Sequence, residues 1–290
     1  KIDEGVAGRV VAERKPILVT DIRRDNRFNR SERPDYKTKS FVSAPLIVEE
    51  RVLGVINVID KASGDSFCET DVNLLCTIAG QVSIAVENAR LYEALEENCF
   101  NMVTALAKSL EAKDKYTSGH SQRVAEYSSV MARTMGVSDK DMTTLRHAAL
   151  LHDIGKIGIS EFIINKTDKL NDTEFAAIKS HPCQGEQIIK PLTFLDDAIH
   201  HIRSHHESFD GRGYPDRLGG DDLSLLTRIM TVADAFDAMT SDRTYRSSMK
   251  TNKAVSELRR VAGKQFDPEV VDAFASSEIV KMKSDLESNY

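Results

Sequence analysis

From Gln81 to about Lys115 the chain runs for some 35 residues without a glycine or a proline, and that uninterrupted stretch divides everything else. A backbone lacking both breakers over this length favours one long helix. Ala85, Tyr92, Leu95, Cys99, Met102 and Leu106 fall on alternating three- and four-residue steps broken at Asn88, the spacing of a coiled-coil seam in which a single core Asn fixes register. The seam predicts either pairing of two chains into a homodimer or one amphipathic helix packed on its own domain. At about 1.5 Å per residue it would span roughly 50 Å.

On its N-terminal side the pattern is strand-like. Short apolar runs at Ile17–Thr20, Phe41–Val48 and Val52–Ile59 sit among glycines and prolines, and Glu49-Glu50 between the last two fits a hairpin connection. From Asp71 the period turns helical, through Leu74, Leu75, Ile78, Val82, Ala85 and Val86. On its C-terminal side only helix signals recur. Ser118 is a candidate N-cap, Ser138 with Asp141 a capping pair, and Asn171 or Asp172 a further start. A glycine- and aspartate-rich loop, Asp210–Asp222, precedes a helix with Ile229, Val232, Ala233 and Phe236 on its core face. The expectation is therefore an α+β module over 1–80, a linker helix over 81–115, an all-α helical bundle over 116–276 and a tail over 277–290.

Composition removes several function classes. With 39 basic against 45 acidic side chains the net charge is −6, which disfavours binding to a nucleic acid polymer and leaves a small anion held by local cations open. Cys68, Cys76, Cys99 and Cys183 have no C-x-x-C spacing, no secretory leader opens the sequence, and no window approaches the apolar length of a bilayer span, so a reduced, cytoplasmic setting without a membrane segment is expected.

The chemistry concentrates in the second half. His120, His152-Asp153, His181, His205-His206 and Asp234 put seven nitrogen and oxygen donors on helical segments of one bundle, where facing helices converge on metals. Imidazole with carboxylate and no thiolate favours Fe, Mn or Zn. Asp153 beside His152 could bridge two ions, and two ions can lower the pKa of water and clamp the oxygens of a displacement at phosphorus. Hydrolysis of a phosphate ester is the natural class. Lys156, in the run HDIGK, could meet charge developing on phosphate, and Arg243 with Arg246 could fork a phosphate. HHIRSHH also offers His201 and His205 at helical i, i+4 spacing, and spacing alone leaves both pairings open.

At HDIGKIGI and HHESFDGRGYP the second half resembles the HD-GYP subfamily of HD-domain phosphohydrolases. The match extends over about residues 100–276 and includes YTSGHSQRVA, HPCQGEQI, Gly213-Tyr214-Pro215, VADAFDAMTSDRTYR and GKQFDPEV. The resemblance implies a cyclic di-GMP phosphodiesterase releasing pGpG or GMP. It implies that His120, His152, Asp153 and Asp234 hold a first ion and His181, His205 and His206 a second, with Asp153 bridging and His200 and His201 structural. Iron or manganese is the implied metal. Lys156, Tyr214, Arg243 and Arg246 match positions that meet substrate phosphates or guanine, and Asp237 one near the metal edge. Tyr116 stands where some members carry a glutamate for a third metal, so two ions are expected. Residues 1–90 resemble the later part of a GAF small-ligand sensor, in GVAGRVVAERKPILVTDIRRDNRF, SAPLIVEERVLGVINVIDK and DVNLLCTIAGQVSIAVENARLYE, with its usual start missing. Ile59-Asp60-Lys61-Ala62-Ser63 does not reproduce the cyclic-nucleotide GAF signature, so the sensor ligand stays unknown. Two further readings remain beside the hydrolase: a catalytically poor cyclic di-GMP receptor acting through partner proteins, and an enzyme for other nucleotides or cyclic dinucleotides.

Overall fold

The computed structural model describes residues 5–28, 39–112, 118–241 and 248–288. The chain divides into two compact units, Lys1–Asn98 and Cys99–Tyr290.

In the first unit helix α1 (Gly5–Glu13) precedes three antiparallel strands, β1 (Ile17–Val19), β2 (Phe41–Val48) and β3 (Arg51–Ile59), in the order β1-β2-β3. Val48 pairs with Arg51, so Glu49 and Glu50 make the expected two-residue hairpin turn, with Glu49 at φ 53°. Val42, Ala44, Phe67, Val72, Leu75 and Ala79 form one buried cluster, and Val6, Val10, Ile17, Val19 and Phe28 another. Helix α1 lies where only short strand-like runs were expected. Its buried Val6 and Val10 are four residues apart, a signal too brief to read in a nine-residue element.

Helix α2 is continuous from Glu69 to Glu111, 43 residues. It starts twelve residues earlier than the glycine-free run and passes straight through Gly80, whose missing side chain costs a long helix about 1 kcal/mol.

The second unit is all helical: α3 (His120–Thr134), α4 (Asp139–Leu151), α5 (Glu161–Ile164), α6 (Asp172–Lys179), α7 (His181–Ile189), α8 (Asp196–Ser204), α9 (Leu225–Thr240), α10 (Thr251–Val261), α11 (Pro268–Ala275) and α12 (Glu278–Ser288), with a 3₁₀ turn at Ile154–Gly158. Helix α3 packs on α4 and α9, α4 on α8, and α7 on α8 and the 3₁₀ turn. Met131, Leu145, Leu151, Ile154, Ile202, Ile229, Phe236 and Phe274 are fully buried at these crossings, each worth about 1.5–3 kcal/mol of apolar burial. Ser138 caps α4 by accepting from the Asp141 amide, and Asn171 with Glu174 forms a full capping box on α6. Ser118 does not cap α3: the N-cap is Gly119 at φ 70°. The stretch expected as a tail contains α12. Ile279 and Val280 of α12 are buried, Glu287 accepts from Thr251, and Lys283 Nζ sits 5.0 Å from the Tyr127 ring centre and 5.1 Å from that of Phe236. Four residues of apolar periodicity were too few to announce that helix.

Among the described residues no helix is long and apolar enough to cross a membrane.

Candidate metal centre

The candidate histidine donors sit at helix ends, where backbone carbonyls lie open to side chains, whereas Asp234 lies within α9. His152 ends α4, His181 begins α7 and His205 follows α8. Each turns its Nδ1 onto the carbonyl three residues earlier: His152 on Ala149 at 2.8 Å, His181 on Ile178 at 2.7 Å, His205 on Ile202 at 2.7 Å. That bond places the ring proton on Nδ1 and leaves Nε2 as the donor atom, the arrangement that orients metal-binding imidazoles.

These rings gather into two clusters whose donor atoms all lie within 4.8 Å of one another, His120 with His152 and Asp153, and His181 with His205 and His206. Asp153 faces both, with Oδ2 3.5 Å from His152 Nε2 and Oδ1 3.3 Å from His181 Nε2. Asp234 completes the first side, its Oδ1 3.3 Å from His120 Nε2. Gly155 makes the two clusters adjacent: a Cβ there would fall 1.9 Å from the His181 carbonyl oxygen, so only glycine lets the 3₁₀ turn after Asp153 lie against α7.

The electrostatics follow from burial. Burial works against the carboxylate of Asp153, but Lys156, His152 and His181 outweigh it and hold its pKa well below the usual range. Asp234 is likewise held far down, chiefly by His120 and His152 against the effect of burial. Burial lowers the His206 pKa to about 4 and keeps His205 neutral, helped by neighbouring imidazoles. His120 goes the other way. Burial opposes its charge, yet hydrogen bonds with Asp234 and Asp237 raise its pKa to about 10, so an ion entering here displaces a proton. Buried imidazoles facing buried carboxylates at this spacing fit two divalent ions.

Lys156 Nζ donates to Asp153 Oδ2 at 2.6 Å, placing its ammonium at the edge of both clusters. Tyr214 stacks on His206, ring centres 4.9 Å apart, and Lys179 Nζ lies 4.9 Å from the Tyr214 ring centre. The loop bearing Tyr214 is stapled by Glu207, 3% exposed, whose Oε1 accepts from the Asp216 and Arg217 amides at 2.6 and 3.0 Å. Arg203 pairs with both Asp216 and Glu186. The Phe209 and Asp210 amides donate to Gln265 and Lys264, joining the loop to the GKQF segment. Gly213 is needed where its Cβ would meet Glu207 Cα at 2.4 Å.

The structure places Asp237, expected near the metal edge, against the first cluster. It is fully buried behind His120, its Oδ2 2.8 Å from His120 Nδ1 and both oxygens bonded by Arg123, at 2.7 and 2.9 Å. With both oxygens engaged it is placed to orient the His120 ring. His201 is buried away from both clusters, with Nδ1 2.8 Å from Thr227 Oγ1. Arg243, Arg246 and Tyr116 lie outside the described residues. Sequence reading missed Arg123, Lys179, Arg203 and Glu207; of these Arg123, Arg203 and Glu207 stood inside quoted runs and Lys179 did not.

Comparison with known proteins accords with this geometry. An HD-domain family model matches residues 104–270 and a GAF-domain model residues 1–87. The 3′3′-cGAMP-specific phosphodiesterase 3 of Vibrio cholerae is 44% identical over 168 residues, 58% of this chain and 36% of that protein. A cyclic di-GMP phosphodiesterase of Thermotoga maritima is 37% identical over 187 residues, 63% of this chain and 50% of that protein. The chain thus spans half or less of the length of these relatives. The crystal structure of a cyclic GMP-AMP specific phosphodiesterase of V. cholerae shares the fold, with a TM-score of 0.51 and 20% identity over 63% of this chain and 48% of that one. With more than half of its length matched by the HD-domain model, the chain belongs to the HD-domain family, with the HD-GYP motifs in its second half and a GAF-domain match ahead of them in sequence.

Proposed function

We propose that the chain hydrolyses a phosphodiester bond of cyclic di-GMP, releasing pGpG or GMP, at a dinuclear centre of iron or manganese. The observation that carries this reading is the position of Asp153, one carboxylate with an oxygen toward each of two histidine clusters. His120, His152, Asp153 and Asp234 would hold one ion and His181, His205, His206 and Asp153 the other. Bound there, two divalent ions would supply Lewis acidity to a phosphodiester and to the attacking water.

The chain's own groups do the rest. The Nδ1 bonds to Ala149, Ile178 and Ile202 fix three imidazoles before substrate arrives, so no reorganisation is needed at the reacting centre. Lys156 brings positive charge to the same edge, and Tyr214, braced on His206, offers an aromatic face to a base. Arg243 and Arg246, by their place in SDRTYR, are proposed to hold the outer phosphate.

Identity of 44% to a 3′3′-cGAMP-specific enzyme favours a second reading, in which the same centre opens the mixed cyclic dinucleotide. Anaerobically purified protein supplied with Mn(II) or Fe(II) and each substrate decides. Linear product from cyclic di-GMP supports the first reading, product from 3′3′-cGAMP alone the second, and tight binding without product would make the chain a receptor.

The helix α2 is further proposed to pair two copies. Leu74, Ile78, Tyr92, Leu95, Met102 and Leu106 are all exposed on its surface and lie on one 3,4-spaced stripe, a pattern that a second identical helix would cover. The GAF unit is proposed to bind a small ligand.

A further inference from the structure

We propose that Glu111, the last residue of α2, is a positioning residue for His120 and thereby sets how firmly the first of the two clusters holds its ion. The inference rests on the dinuclear reading above.

Helix α3 begins at His120 with a glycine as N-cap, which has no side chain to satisfy the open amides of the first turn. Glu111 does so from another helix. Its Oε2 accepts from the Gly119 amide at 2.7 Å and its Oε1 from the Ser121 amide at 2.9 Å. Those two amides flank His120, and a carboxylate there also meets the positive end of the α3 dipole. The geometry depends on Gly119: its φ of 70° turns the two amides to one side, and a Cβ would stand 3.0 Å from Arg123 Nη1.

His120 is therefore gripped twice. Its ring is held by Asp237, itself fixed by Arg123, and Arg123 also donates to the Ser118 carbonyl at 3.1 Å. Its backbone is held by Glu111. Among the described residues no hydrogen bond from α2 reaches the second cluster: His181 begins α7 and His205 and His206 follow α8, the rings of His181 and His205 lean on the carbonyls of Ile178 and Ile202, and the His206 carbonyl accepts from the Tyr214 amide. A displacement of the end of α2 would carry residues 119–121 with it and shift His120 Nε2 against Asp234, leaving the other cluster where it was. Occupancy of one ion would thus follow the position of α2.

The test is a metal titration with Mn(II), independent of turnover. Wild-type full chain should bind two ions. Glu111→Ala should weaken one site by 10- to 100-fold, the range for groups that orient a ligand, and leave the other at the wild-type constant. Glu111→Gln, which keeps one acceptor oxygen for the two amides, should fall between them. A chain with His205→Ala should lose the site that Glu111→Ala spares. Two unchanged sites in Glu111→Ala, or both weakened alike, would overturn the role of Glu111. If the alanine variant does not fold, the glutamine variant is judged by the same selectivity. Fewer than two sites in the wild type would instead overturn the dinuclear reading itself.

Discussion

His181 Nε2 and His205 Nε2 face each other at 3.1 Å, although each ring has already given its Nδ1 proton to a backbone carbonyl. Two lone pairs at that distance repel unless a proton or a cation lies between them, and a divalent ion held by both nitrogens would remove that repulsion.

Replacing His205 by Ala should then reduce the metal content from two ions per chain to one, whereas Asp153→Ala should remove both. Elemental analysis of anaerobically prepared protein reads the difference. Two ions retained in Asp153→Ala would sink the shared-carboxylate arrangement.

For Lys156→Met, turnover should fall about 100-fold, the scale of one lost group that meets developing charge, with both ions kept. Its contact with Asp153 Oδ2 makes metal content the control. Loss of an ion would mean that Lys156 supports the ligands rather than the reaction.

Gly213→Ala forces the loop away from Glu207, because the new methyl would lie 2.4 Å from Glu207 Cα. Tyr214 should leave its stack on His206, raising KM at least tenfold while metal content stays at the wild-type level. An unchanged KM would show that the stacked ring is not used to hold substrate.

The pH dependence of stability should carry a histidine signature outside the metal centre. Burial, then the neighbouring His200, lowers the His201 pKa from 6.5 to about 3. Above the unfolded value both states hold a neutral ring and the full stability is present. As pH falls from 6.5 toward 3 the unfolded chain takes a proton that the folded chain refuses, so stability is lost at up to about 1.4 kcal/mol per pH unit. His147 and His206 act in the same direction. Urea unfolding at pH 7, 6 and 5 should show a slope one proton smaller in His201→Gln; identical slopes would refute the assignment.

The helix α2 should lose its pairing when Tyr92 and Leu95 are both replaced by Lys, since like charges would meet on a seam. Light scattering should report a monomer for that variant and a dimer for the wild type. A wild-type monomer at micromolar concentration would end the proposal.

Much of the candidate centre was legible because its donors occur in contiguous motifs: His152-Asp153 and His205-His206 name themselves, and adjacency to His152 puts Asp153 at the clusters. The hairpin at Glu49-Glu50 and the caps at Ser138 and Asn171 were legible for the same local reason. What escaped was held by long-range bonds. Asp237 lies one turn beyond Asp234 on α9 and shares its face, so periodicity cannot say that one carboxylate meets the cluster while the other lies behind His120. Arg123 finds Asp237 across 114 positions, and Glu111 finds Gly119 across a turn that no helix period describes. The choice between His201 and His206 was equally invisible to spacing. It turns on Thr227 and Ser224, whose hydroxyl oxygens lie 2.8 and 3.0 Å from His201 Nδ1.

The contact at Gly155 has a consequence for how such a centre can change. Because the 3₁₀ turn meets α7 backbone to backbone, the gap across which Asp153 reaches is a dimension of the main chain, as incompressible as the interior around it. Side-chain drift elsewhere in the bundle cannot widen or narrow it. On the proposed reading, a change of substrate preference would fall to the rim, in the loop that carries Tyr214, rather than to the spacing of the two clusters.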